Sequence, residues 1–182
     1  MKPDIKNPGE MTVVKAKSTC GVMIILLAAV WLSACSRNPE PDPRVGQILD
    51  RLAVQDAVNE LFRAVDLKDW RRARVVFTEK VNLDMPDLIG GGAAEMSSKE
   101  LVDAWARWLE PVQSIQHQTG NFGIRVLEFG AYVTCYVTAT RYHQEQQRTV
   151  AYRVGSFDFH LVRQEQGWKI DAMRFTQRSG EG

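Results

Sequence analysis

Apolar residues along this chain change their spacing once, and that change divides the fold. From Arg44 to Asp66 they fall at Val45, Ile48, Leu49, Leu52, Val58, Leu61, Phe62 and Val65. Steps of three and four predict one long helix, and no proline interrupts it. "DLKDW" breaks the stripe, and Asp69 stands where it can cap a shorter helix over 70–77. "KVNLDM" (80–85) reads as a short strand. "PDLIGGGAAEM" (86–96) has three consecutive glycines and no period, so it reads as a loop. Ser97 and Glu100 have capping-box spacing and open a third helix that stops at Pro111. Beyond Pro111 the period falls to two, predicting strands at 114–119, 122–129, 131–143, 149–163 and 168–177. Helices kept apart from a mainly antiparallel sheet make an α+β fold.

The N-terminus has a different pattern. "CGVMIILLAAVWLSAC" (20–35) is apolar and follows Lys15 and Lys17, the order of a secretory signal. Its uninterrupted part, Val22 to Leu32, is short of the ~20 residues a spanning helix needs. The "LSAC" ending resembles the lipobox of bacterial lipoproteins, with cleavage before Cys35 and lipid on its thiol. That divides the chain into a signal (1–34), a tether rich in Pro and charge (35–43) and a domain (44–182). Ser36 after the cysteine resembles outer-membrane sorting in a Gram-negative cell. The expected location is the envelope, lipid-anchored and facing the periplasm.

Charge narrows the partners. With 23 basic and 22 acidic residues there is no cationic excess for nucleic acid. With Cys35 acylated, Cys135 has no intrachain partner in the mature chain, so no internal disulfide is expected. The remaining roughly 140 residues suit a single core.

Strand parity then selects candidate chemistry. Over 131–143 the odd positions are Ala131, Val133, Cys135, Val137, Ala139, Arg141 and His143, and the even ones are tyrosines and threonines. The odd face predicts a cavity wall that turns polar at its mouth. The tyrosine–threonine face is left for solvent or a subunit contact, so a homo-oligomer stays open. His117, in "SIQHQTGNFGI", reads as a core residue, a metal ligand or a general base. Asp66, at a helix C-terminus where the dipole disfavours a carboxylate, reads as a solvated end or as the partner of an imidazole. His117, His143 and His160 are spread over separate strands without ligand spacing, so no metal site is expected. "GGG" (90–92) lacks the lysine and helix of a phosphate loop.

"AVDLKDWRRARVVF", "VNLDM", "IQHQTGN" and the terminal "GWKI", in this order and spacing, resemble the SnoaL-like branch of the nuclear transport factor two-like superfamily, in its scytalone dehydratase-like form. The resemblance spans roughly residues 44–178 and implies a cone, a curved sheet wrapped around a pocket and closed by helices. It implies a catalytic Asp66–His117 dyad with His143 as a second pocket histidine, and Asp158 where the family has a pocket asparagine. Val65 and Met85 fall where scytalone dehydratase has water-positioning tyrosines, so the family's mechanism does not carry over whole. Arg141, Asp158, Met85 and Val137 are the expected substrate contacts. The implied activity is a lyase or isomerase without cofactor, acting on a small hydrophobic cyclic molecule. The alternative is a lipid-anchored binding protein that uses the same cone without catalysis.

Overall fold

The computed structural model describes residues 42–85, 92–143 and 148–181, with side chains for 42–85, 92–142 and 153–178. Residues 1–41, which include Cys35 and the expected signal, lie outside this range, as does 86–91 of the glycine loop. Asp42–Gly182 forms one compact unit.

Helix α1 (Pro43–Asp66) begins with Asp42 accepting from the Arg44 N–H and proline in the first turn. Its apolar stripe is not uniformly buried. Val54, Val58, Leu61, Phe62 and Val65 enter the core, while Val45, Ile48, Leu49 and Leu52 stay exposed. The expected stripe is real, but among the described residues the domain covers only its second half. Leu67 and Lys68, the latter at φ 54°, end the helix, and Asp69 caps α2 (Trp70–Val75). Helix α3 (Ser98–Trp108) has the full capping box, Ser97 Oγ accepting from the Glu100 N–H and Glu100 from the Ser97 N–H.

Six strands form one open sheet in the order β2 (Ala94–Ser97), β1 (Phe77–Asp84), β6 (Gly167–Glu181), β5 (Arg148–Gln164), β4 (Ala131–His143), β3 (Ser114–Val126). β1 and β6 run parallel and the other neighbours antiparallel. Two expectations change here. β2 forms at the end of the stretch read as loop, where pairing with β1 overrides weak local propensity. The strands expected at 114–119 and 122–129 are one strand, β3, with a register shift between Gly120 and Gly123 and Asn121 at φ 52°. Further shifts fall at Arg141/Tyr142, Val154/Gly155 and His160/Leu161. Such bulges bend strands, and a sheet bent this often curls around what it covers. At Gly155 a Cβ would lie 2.5 Å from the Thr176 carbonyl oxygen and 2.6 Å from the Phe175 ring, so a glycine is needed for that close approach.

Helices α1 and α3 bring Phe62 and Trp105 to a cavity that the sheet also lines. The parity expected for β4 holds: Ala131, Val133, Cys135 and Val137 are buried, while Tyr132 and Tyr136 are exposed. Burial, reinforced by the charge of Asp158, pushes the Cys135 thiol up to about 12.

Candidate active site

The site begins where α1 stops. Asp66 is the last helical residue, and Lys68 just after it donates to the carbonyls of Leu109 (3.0 Å) and Val112. These bonds fix the turn against the end of α3. The Asp66 carboxylate is part-buried against β3, an edge strand of the sheet. Its Oδ2 accepts the backbone N–H of His117 at 3.0 Å, and its Oδ1 lies 2.5 Å from His117 Nδ1. One carboxylate thus grips both the main chain and the ring of one residue. Because a carboxylate accepts, this contact favours hydrogen on Nδ1, which in the neutral ring leaves the lone pair on Nε2. Phe62, one turn before Asp66, packs its ring 5.0 Å from the imidazole and limits ring rotation from the other side. The His117 side chain is 11% exposed.

His117 lies in the wall of a cavity of about 270 Å³. Val137, Met85 and Arg141 line the same cavity, together with Phe62, Phe157 and Phe175. Asp66 sits behind the imidazole. Arg141 stacks 4.3 Å over the Trp108 ring, and burial, aided by Arg153, lowers its pKa from the ordinary value. Among the described residues no group of three or more His, Cys, Asp or Glu side chains converges.

Asp158 is not in this cavity. Phe157 and Phe159 on either side of it are buried, so Asp158 points to the opposite face of the sheet, where it accepts from Thr134 Oγ1 at 2.6 Å. It borders a separate groove with Tyr132 and His160. The local alternation Phe-Asp-Phe already carried that signal. Arg174, also on that outer face, pairs with Asp84 at 2.7 Å. The backbone of His143 ends β4, but its side chain lies outside the described residues. Sequence reasoning missed Arg153 on β5 and Phe175 and Gln177 on β6, which share the cavity. The odd positions Arg153, Gly155, Phe157 and Phe159 of β5 would have pointed to the first of them.

A curved sheet closed by helices over an apolar cavity, with a carboxylate-held imidazole in its wall, defines a cone-fold protein of the nuclear transport factor two-like kind. Within that class, residues 46–174 match the SnoaL-like domain, and the chain belongs to this family. Among solved structures it is similar to the Kfla4162 protein from Kribbella flavida, with TM-score 0.70 and 17% identity over 75% of this chain and 95% of that one. A protein from Novosphingobium aromaticivorans DSM 12444, provisionally described as a scytalone dehydratase, gives 0.65 and 14% over 74% and 88%. A hexachlorocyclohexane dehydrochlorinase (LinA) Type2 gives 0.59 and 16% over 73% and 90%. At these identities the likeness establishes the fold. No curated protein matches the chain.

Proposed function

We propose that the protein is a lyase or isomerase of the dehydratase type, working on a small hydrophobic cyclic substrate with His117 as general base. The observation that carries this reading is the 2.5 Å Asp66–His117 contact in the wall of an apolar cavity. Nε2 would take a proton from the carbon next to an electron-withdrawing group. The C–H electron pair becomes the new double bond as hydroxide or halide leaves, and the imidazolium returns the proton to hydroxide or to solvent. The leaving group departs with its own bonding pair, so the step is redox-neutral and calls for no cofactor. Asp66 holds the tautomer and stabilises the imidazolium as it forms. Arg141 is placed to stabilise negative charge developing at the polar end of the cavity.

A second reading has one observation in its favour. Val65 and Met85 line the cavity, so two positions that bear tyrosines in scytalone dehydratase offer no hydrogen bond here. That suits a protein that binds a hydrophobic ligand without transforming it. Turnover separates the readings. On a panel of cyclic β-hydroxy-carbonyl compounds and halides, the lyase reading expects activity that Asp66→Asn and His117→Ala each abolish. A panel with no turnover, together with ligand retention in the cavity, selects the binder. In either case we propose that acylation at Cys35 tethers the domain to the envelope. Intact mass of the envelope-derived N-terminus tests this, and an unmodified Cys35 would refute it.

A further inference from the structure

One end of the cavity carries the Arg141 guanidinium. Among the described residues its charged or titratable lining consists of His117, Arg141 and Arg153, and no carboxylate faces it. Arg141 is half-buried, sits 4.3 Å over the centre of the Trp108 ring, and has neither a hydrogen bond nor an ion pair among the described residues. A guanidinium carries five donors and does not discharge in proteins. Stacking on an indole offsets part of its desolvation, and among the described residues no protein group accepts from the donors at its edge. Arg153, the β5 neighbour of Ala139, also lines this wall and donates to Gln177 Oε1 at 3.4 Å.

The register fixes how far these cations lie from the base. His117 pairs with Ala139 and Ile115 with Arg141. Arg141 is therefore two residues along β4 from the position opposite the imidazole and shares its face. At ~3.4 Å per residue that is about 7 Å along the strand, within the span of one small molecule. The cavity, near 270 Å³, lies at the small end of ligand pockets.

We propose that this cavity takes an amphipathic organic acid, whose carboxylate pairs with Arg141 on its Trp108 platform while its ring lies against Phe62, Phe157 and Phe175. The proposal rests on the reading that this cavity is the substrate site and names the substrate class. A free carboxylate would resist loss of a further proton from the same molecule. Pairing it with a planar guanidinium neutralises that charge before His117 acts. Neutral cyclic compounds of the same shape keep the apolar contacts and leave the Arg141 donors unmet.

Binding rather than turnover tests this. Calorimetric titration of the full chain with 2-naphthoate and 2-naphthamide should show the acid binding about tenfold or more tightly at low salt, as expected for a charge-assisted pair. Arg141→Gln should bring that ratio close to one while naphthamide affinity changes little, and Arg141→Lys should retain part of it. A ratio near one in the unaltered protein, a ratio that survives Arg141→Gln, or no binding of either probe would overturn the proposal. Should Arg141→Gln fail to fold, the ratio in the unaltered protein and its decrease in Arg141→Lys decide. The two readings fail separately. Turnover that depends on Asp66 without anion preference leaves the lyase and removes the acid, whereas anion preference without turnover does the reverse.

Discussion

Asp66–His117 and Asp171–His160 are aspartate–histidine pairs of nearly equal length, 2.5 and 2.6 Å, on opposite faces of one sheet. Both histidines border a concavity, but their immediate surroundings differ. His117 stands in an apolar cavity, and Asp66 binds its backbone as well as its ring. His160 lies on the outer face, 28% exposed at the side chain, tilted against Tyr132 at 4.8 Å. The Nε2 edge of His160 packs against the backbone of Gly130, so closely that a Cβ there would come within 2.7 Å. The inner pair has a free nitrogen and room beside it. The outer pair has that nitrogen against main chain. A short carboxylate–imidazole contact thus occurs on both faces of this sheet, and what separates the two pairs is the space at the other ring nitrogen.

The widest separation expected between the pairs is in turnover. Asp66→Asn should lower it by about 10²–10⁴-fold, the usual scale of positioned general-base catalysis. Asp171→Asn should leave it within about twofold, which surface positions outside the site generally do. Asp66→Asn combined with His117→Ala should be little worse than the worse single variant, because groups that act together are lost together. Equal losses at Asp66 and Asp171, measured on the same substrate, would erase the distinction.

Filling the inner space comes next. Val137→Trp should abolish ligand binding by calorimetry while the chain still folds, at about 1–3 kcal/mol for overpacking. Retained binding would place the ligand elsewhere. The outer pair should respond in stability alone. Gly130→Ala brings a methyl group to 2.9 Å from the Leu161 carbonyl oxygen as well as onto the His160 ring, and should lower Tm with turnover per folded molecule unchanged.

The smallest effect concerns an ion pair between α1 and α2, away from both histidines. Glu60 receives Arg72 from α2 and Arg63 from its own helix, and chiefly the Arg72 hydrogen bond holds its carboxyl below the ordinary value. A carboxylate whose folded pKa lies below its unfolded one adds stability above the unfolded value and loses it as pH falls through the folded one. The margin of the unaltered protein over Glu60→Gln should thus be full at pH 7, no more than about 1 kcal/mol, as at other exposed pairs. It should close as acid takes the solution below about pH 4. Thermal melts across pH check the sign, and a margin that widened in acid would contradict it.

What could be read from the sequence follows from how far each signal reaches. The α3 capping box and the alternation in β4 are local, and both were legible: Ser97, Glu100 and Val133 stand where their neighbours in sequence require. Asp66 and His117 are 51 residues apart. Family resemblance paired them, since no local pattern brings a helix end to an edge strand. The same resemblance misplaced Asp158, where the alternation of Phe157 and Phe159 was the better guide. The exposed start of α1 was illegible because a helical stripe says which side is apolar and nothing about how much of it the sheet reaches. Strand β2 and the Gly120–Gly123 bulge depend on pairing with distant strands, which outweighs their weak local preference.

Cys135, at the centre of β4 and fully buried, gives the fold a built-in clock. With its thiol held near 12, it stays protonated and closed to alkylating reagents in the native state. Labelling at this residue then proceeds only through transient opening of the strand. Its rate, resolved by peptide mass, reads the free energy of that opening in the floor beneath the cavity. A ligand seated above β4 would slow the clock, so occupancy can be timed before any substrate is known.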